Sequence, residues 1–347
     1  MNAPVKPPVR VLVVDDSAAM RALLGRILGQ DPELEVVGSA PEVNSARAMI
    51  KELAPDVVTL DVEMPGMDGL SFLERIMRLR PMPVVMCSSL TARGAHATIE
   101  ALRLGAVDCL AKPEGNPLAI AGYADHVRAT VKAAARSRAR GLSSGTVKPV
   151  APTGGYRDTL IAIGASTGGV EALFALVPAL PADCPPVLIV QHMPESFTAS
   201  FAGRLDAAAA VRVVEAQDGT PLEPGTAYIA PGGACHMELA AGATPRISLR
   251  PGELVGGHRP SVDTLFHSVA RRGPAAVGVI LTGMGDDGAA GLLAMRRAGA
   301  RTFGQSADSC VVHGMPRAAA EAGAVERQIS LPGMAEAILR ACRNEKA

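Results

Sequence analysis

Residues 160–177 read LIAIGASTGGVEALFALV. The first four, Leu160 to Ile163, form an unbroken apolar run, as expected of a strand buried on both faces. From Val170 the period changes. Val170, Leu173, Phe174 and Val177 stand at i, i+3, i+4 and i+7, which is one face of a helix. Between the two lies Gly164-Ala165-Ser166-Thr167-Gly168-Gly169, a G-x-S-x-G pattern. A strand turning tightly into a helix is half of a βα unit, and repeated βα units build parallel sheets with functional groups at the carboxyl ends of the strands. A serine on such a turn is exposed, glycines relieve the crowding, and the helix start favours developing negative charge. The competing reading of the motif by itself is a phosphate-binding glycine loop or a plain helix start.

Moving outward, Val187–Val190 is a second buried strand, and His192 follows it on the same rim as Ser166. Val277–Leu281 is a third, running into TGMGDDG at 282–288 and then a helix from about Ala289. That Gly-rich loop brings a carboxylate, Asp286 or Asp287, and free backbone amides, Met284 among them as a candidate oxyanion donor, to the rim. A nucleophilic serine needs a base, and the base needs an orienting carboxylate. His267 falls inside an apparent helix, where a surface or packing role is expected; His236 and His258 are candidates for lining the cleft. The chain order Ser, His, Asp differs from that of the α/β-hydrolases, so the motif does not assign that fold. The stretch from Val211 to Arg250 has short β-like runs and Gly/Pro turns, which predicts hairpins.

The first part of the chain repeats the same logic. Val11–Val14 is an apolar run, and Met20, Leu23, Leu24, Ile27 and Leu28 form a helix face after it. Val57–Leu60, Val84–Cys87 and Val107–Leu110 are further strand candidates. Asp15 and Asp16 close the first strand, Asp61 follows Leu60, Ser88 follows VVMC, and Lys112 follows VDCLA. Three carboxylates on one rim repel each other unless a hard divalent cation is held there. A carboxylate beside such an ion can act as a nucleophile toward a phosphoryl donor, with a lysine and a hydroxyl holding the phosphoryl oxygens. The plainer alternative is that Asp16 or Ser17 merely caps the following helix.

Between the two halves, RSRARGLSSGTVKPVAPTGG at 136–155 breaks the periodicity with Gly, Ser, Pro and basic residues, the composition of a flexible linker. The expected division is a domain at 9–126, a linker at 127–156 and a second domain at 157–344. The formal net charge is zero, aromatic residues are 3% and Trp is absent, which argues against nucleic acid as a partner. The six cysteines form no C-x-x-C pair, so neither zinc nor a disulfide framework is expected. The N-terminal ten residues hold three prolines and no apolar core of a signal peptide, and no apolar run approaches a membrane span. The expected location is the cytoplasm, with no membrane insertion.

Two resemblances follow. Residues 9 to 126 resemble the response-regulator receiver family through VLVVDDS, LDVEMPGMDG, PVVMCSS and LAKP, in that order. This resemblance implies phosphorylation at Asp61, Mg²⁺ held by Asp15, Asp16, Asp61 and the backbone carbonyl of Glu63, and phosphoryl sensing by Ser88 and Lys112. One departure is Cys109, where many receivers carry an aromatic switch residue. Residues from about 157 to 344 resemble the catalytic domain of the CheB family of chemotaxis methylesterases through IGASTGG, QHMP, YIAPGG, HRPSVD and LTGMGDDGAAGL. That resemblance places a catalytic triad on Ser166, His192 and Asp287, where spacing by itself leaves Asp286 and Asp287 equal.

Together they imply a doubly wound, five-stranded parallel receiver domain and an α/β hydrolase-type domain with a mostly parallel sheet and a β-hairpin region. The implied function is a phosphorylation-regulated serine hydrolase that demethylates glutamate γ-methyl esters and deamidates glutamines on chemotaxis receptors. Its partners would be methyl-accepting receptors and a chemotaxis histidine kinase, and the hydrolysis itself needs no cofactor. A DNA-binding output, an inactive scaffold and a protease of wider specificity are the rivals. No basic recognition helix favours the first, and intact Ser166, His192 and Asp287 weigh against the second.

Overall fold

The structure, a computed structural model, describes residues 7–64, 69–89, 91–113, 117–137, 154–156, 158–242 and 244–343. The chain divides into two compact units, Met1–Ser144 and Gly145–Ala347.

In the N-terminal unit strands and helices alternate: β1 (Val9–Val14), α1 (Ala18–Gly29), β2 (Leu34–Ala40), α2 (Val43–Leu53), β3 (Val57–Asp61), α3 (Gly69–Leu79), β4 (Val84–Ser88), α4 (Ala92–Arg103), β5 (Asp108–Ala111) and α5 (Pro117–Arg136). The sheet runs β2-β1-β3-β4-β5, and every pairing is parallel. The strand order reverses between β1 and β3, so their carboxyl ends flank the crevice where such sheets carry their sites. β2 has no continuous apolar run because it is an edge strand buried only at its two ends. The helix α5 continues to Arg136, so the linker expected from residue 127 is helical for its first ten residues. The reason is apolar spacing: Val127, Val131 and Ala134 are buried at i, i+4 and i+7. Residues 138–153 of that expected linker lie outside the described residues.

The C-terminal unit contains β6 (Leu160–Ala165), α6 (Gly169–Leu176), β7 (Val187–Gln191), α7 (Glu195–Ala208), β8 (Arg212–Glu215), β9 (Thr226–Ile229), β10 (Cys235–Leu239), β11 (Ile247–Pro251), α8 (Val262–Val269), β12 (Ala276–Ile280), α9 (Ala289–Arg297), β13 (Arg301–Gln305), α10 (Met315–Glu321), β14 (Arg327–Ile329) and α11 (Leu331–Arg343). Seven strands form one sheet, β14-β13-β12-β6-β7-β9-β8, again with every pairing parallel. The hairpins expected over 211–250 are therefore only partly present. β8 and β9 extend the parallel sheet, and β10 with β11 makes the one antiparallel pair of named strands among the described residues. Strand length and turn residues do not distinguish these cases, because β8 and β9 are as short as hairpin strands yet are joined by a crossing loop.

β6 lies at the centre of the sheet with β7 on one side and β12 on the other, and chain order reverses there. Register then sets the site. Ala165 pairs with Gln191 and Gly164 pairs with Ile280, so Ser166, His192 and the loop after Ile280 leave the sheet at one level. α8 packs beneath that rim, with Val262, Leu265, Phe266 and Val269 buried in the core. Among the described residues no helix is long and apolar enough to cross a membrane.

Candidate active site

Ser166 is held by its backbone. Its N–H donates to the Thr282 carbonyl at 3.0 Å, and its carbonyl accepts from Gly169 N–H at 2.7 Å, which closes the tight turn into α6. The left-handed residue of that turn is Gly168, with φ of 75°; Ala54 is the sole non-glycine with positive φ among the described residues. Ser166 thus sits on an unstrained turn, unlike the nucleophile elbow of α/β-hydrolases. Gly283 lies against it from the neighbouring strand end. A Cβ on Gly283 would stand 2.8 Å from the Ser166 Cβ, so only glycine lets the loop approach.

His192 N–H donates to the Ala165 carbonyl at 3.1 Å, the next rung past the β6–β7 pairing. The Gln191 side-chain amide donates to both the Ser166 and His192 carbonyls, at 3.0 and 3.1 Å, and ties the two strand ends together. The His192 ring is almost wholly buried and its Nε2 lies 2.8 Å from Asp287 Oδ2.

Asp287 is the best-anchored carboxylate on the rim. Oδ2 also accepts Val262 N–H at 2.8 Å, while Oδ1 accepts Asp263 N–H and the Ser261 hydroxyl, both at 2.9 Å. Ser261 is the N-cap of α8, so the carboxylate closes the helix start, where free N–H groups favour negative charge. Burial by itself would raise its pKa; the hydrogen bond and charge of His192, with the amide donors, override that and hold it at about 2. Asp286, one residue earlier, is exposed.

An ionised Asp287 accepts and cannot donate, so the proton of the pair resides on His192 Nε2. In the neutral ring Nδ1 then carries the lone pair. It is buried and has no hydrogen-bond partner among the described residues. A buried imidazole with one nitrogen fixed by a carboxylate and the other bare is set up to take a proton. This is the opposite use of the two nitrogens from the serine-protease arrangement. The Met284 N–H likewise donates to nothing among the described residues, on a loop pinned by Gly314 and Met315 amides to the Gly283 carbonyl.

The other histidines separate. His258 lies face to face with His192, ring centroids 3.8 Å apart and 8° from parallel. His236, expected in the cleft, is buried structure instead: Nε2 donates to the Glu253 carbonyl at 2.8 Å and Nδ1 accepts Ser261 N–H at 3.1 Å. It fixes the cap residue that holds Asp287. Ser261 was not singled out from sequence, although a serine before an acidic first turn and an apolar run is a helix-start signal. His267 is in α8, as expected.

The N-terminal unit has its own polar rim. Asp15 and Asp61 are buried, Asp16 is exposed, and one oxygen from each lies within 4.8 Å of the others. Lys112 reaches across from the end of β5 to Asp61 Oδ2 at 2.9 Å and Asp15 Oδ2 at 3.0 Å. Burial raises the Asp61 pKa above the usual carboxylate value, against the pull of Lys112. Lys112 is pushed down by burial but raised on balance by its bonds to Asp61 and Asp15. Ser17, not Asp16, caps α1, accepting Met20 N–H at 3.4 Å, so both adjacent carboxylates remain available to the rim. Glu63 N–H donates to Asp61 Oδ1 at 3.1 Å. Ser88 is fully buried at the end of β4, and its carbonyl accepts Lys112 N–H at 2.8 Å. Three hard oxygen donors, one of them on exposed Asp16, fit a divalent cation. Cys109 Sγ lies 3.8 Å from the Thr98 hydroxyl, and burial pushes its thiol up to about 12.

Residues 161–338 match the family described as CheB methylesterase, and residues 11–121 match the response regulator receiver domain. A protein-glutamate methylesterase/protein-glutamine glutaminase of Caulobacter vibrioides is 56% identical over 340 residues, covering 95% of this chain and 97% of that protein. One from Agrobacterium fabrum is 55% identical over 337 residues, covering 95% and 96%. Among solved structures, the Thermotoga maritima CheB methylesterase catalytic domain is 35% identical with a TM-score of 0.51, covering 52% of this chain and 97% of its own.

Proposed function

The chain belongs to the CheB methylesterase family, with a receiver domain ahead of the catalytic domain, and from that premise we propose that it hydrolyses glutamate γ-methyl esters, and deamidates glutamines, on chemotaxis receptors under control of receiver phosphorylation. The observation that supports the catalytic assignment best is the His192–Asp287 bond, which leaves Nδ1 without a partner on a residue that leaves the sheet beside Ser166.

The reaction runs on this chain's own residues. Ser166 Oγ attacks the ester carbonyl as its proton passes to His192 Nδ1. Asp287 steadies the imidazolium through Nε2–H, and the Met284 amide donates to the oxyanion. Collapse of the tetrahedral adduct breaks the ester C–O bond, and His192 returns the proton so that methanol leaves. Water, deprotonated by the same nitrogen, then frees the glutamate carboxylate and Ser166. With a glutamine side chain the leaving group is ammonia.

In the receiver, Asp15, Asp16 and Asp61, with the Glu63 carbonyl, would hold Mg²⁺, which when bound offsets the charge of carboxylates and phosphoryl oxygens. Asp61 is the phosphoacceptor; Lys112 and Ser88 bind the phosphoryl oxygens. The phosphodonor is a chemotaxis histidine kinase, and the setting is the cytoplasm. The deciding experiment is methanol release from methylated receptor membranes, with and without acetyl phosphate, by the wild type and Ser166→Ala. Stimulated release by the wild type and none by the variant supports the reading; equal release by both sinks it.

A further inference from the structure

Large hydrophobic side chains are exposed at three of the described positions: Leu79, Leu254 and Val255. The last two are consecutive, 59% and 40% exposed, on the segment between β11 and α8. That segment is a small hairpin. Val255 and His258 exchange backbone hydrogen bonds of 3.1 and 3.0 Å around Gly256 and Gly257, whose φ values are 58° and 84°. Two left-handed glycines form the two-residue turn that matches strand twist, so the tip has a defined shape.

The hairpin is also fastened at its base. Arg259 donates from Nε to the Gly233 carbonyl at 2.5 Å and from Nη1 to the Gly252 carbonyl at 2.6 Å. His236 holds the Glu253 carbonyl. His258, the last residue of the turn, is stacked on His192. A fastened tip keeps two aliphatic side chains in water three and four residues from a ring that lies on the catalytic base. Single exposed apolar residues need no explanation; here two consecutive ones stand on a fastened turn whose last residue lies on His192.

We infer that Leu254 and Val255 form a substrate lip that seats the receptor polypeptide around the esterified glutamate. This rests on the esterase reading above. The occupant follows from the position. A protein chain that brings a side-chain ester to Ser166 and His192 comes beside His258, which lies on His192 and is hydrogen-bonded to Val255, so residues flanking that glutamate meet the hairpin. The chemistry it fits is aliphatic: apolar side chains of the receptor polypeptide that flank the esterified glutamate. Because the tip is already ordered, contact there needs no loop to be immobilised, which favours binding.

The test is the double variant Leu254→Ser, Val255→Ser in the full-length protein with acetyl phosphate present, the turn glycines left in place. Two substrates are compared: methylated receptor membranes, and an N-acetylated glutamate γ-methyl ester amide too small to span from Ser166 to the lip. The kcat/KM for receptor relative to the small ester is expected to fall about 10-fold or more, through KM, since two buried aliphatic side chains carry at least that factor. Leu254→Met, Val255→Ile should restore the ratio, and Leu79→Ser should not move it. Co-sedimentation of Ser166→Ala protein with receptor membranes should weaken by a similar factor when the lip is changed. An unchanged ratio and unchanged co-sedimentation would overturn the lip. So would an equal loss on both substrates, which assigns the pair to structure, or a loss of self-association with receptor turnover intact, which assigns the tip to a second copy. A wild type that releases no methanol from either substrate would remove the esterase reading, and the lip with it.

Discussion

His258 lies flat on His192, with ring centroids 3.8 Å apart and planes within 8°. His192 is thereby held on two axes: Asp287 fixes the ring in its plane through Nε2, and His258 fixes the tilt of that plane. Misplacing a catalytic ring by a fraction of its own width costs about 10- to 100-fold in rate. His258→Ala is therefore expected to lower kcat by about 10-fold with little change in KM. His258→Phe, which keeps a flat ring, should recover most of the loss. Steady-state methanol release on both variants checks this; a His258→Phe enzyme as slow as His258→Ala would show that stacking is not what His258 contributes.

Asp287 and Asp286 are neighbours with opposite surroundings. Asp287 is buried and its two oxygens take four donors; Asp286 is exposed. Asp287→Asn should cost about 10³- to 10⁴-fold in kcat, because the amide no longer fixes the His192 tautomer. Asp286→Asn should stay within about 3-fold of the wild type, as exposed polar changes do. Ser261→Ala, which removes one donor to Asp287, should fall between them. The reverse order for the two aspartates, measured by ester hydrolysis on folded protein, would overturn the assignment.

The acid dependence of stability has a definite sign. Asp287 has a folded-state pKa of about 2, below its unfolded value, so its contribution is fully present above about pH 4 and is lost as pH falls through 2. That contribution is about 2 kcal/mol. The unfolding free energies of wild type and Asp287→Asn, measured by urea from pH 6 downward, should differ most at pH 6 and converge between about pH 4 and 2. A gap that widens on acidification would contradict the ionised, hydrogen-bonded carboxylate.

In the receiver, Cys109 stands three residues before Lys112 and contacts Thr98, while Ser88 is buried at the strand end whose carbonyl holds Lys112. A small side chain with one torsion cannot sweep out the volume of a ring. Cys109→Ala should keep most of the acetyl-phosphate stimulation, and Ser88→Ala should lose much of it with Asp61 still phosphorylated. The readout is the ratio of esterase rates with and without phosphodonor, beside direct quantification of phosphorylated Asp61. Normal stimulation in Ser88→Ala together with none in Cys109→Ala would refute this route.

Local sequence was enough to identify the α/β class, the strands β1, β3, β4, β5, β6, β7 and β12 and the polar residue types at their ends, because burial on both faces writes an apolar run and the next residue lies on the rim; β13, buried from Thr302 to Gln305, escapes that reading because Thr302, Gly304 and Gln305 interrupt the run. Ser166, His192, Asp61 and Lys112 were legible in that way. The margins of the sheets were not: β2 is a half-exposed edge strand, and β8 at the edge and β9 beside it are short, so nothing in their composition says which neighbour they pair with. The finer geometry belongs to tertiary structure. The spacing of residues treats Asp286 and Asp287 alike, and the packing of α8 beneath the rim decides which one meets four donors. The stretch HRPSVD does not reveal that His258 stacks on His192 while the more distant His236 props up the cap of that helix. Each of these depends on contacts between segments separated by tens of residues, set by strand register and helix packing, and such relationships exist only once the chain has closed on itself.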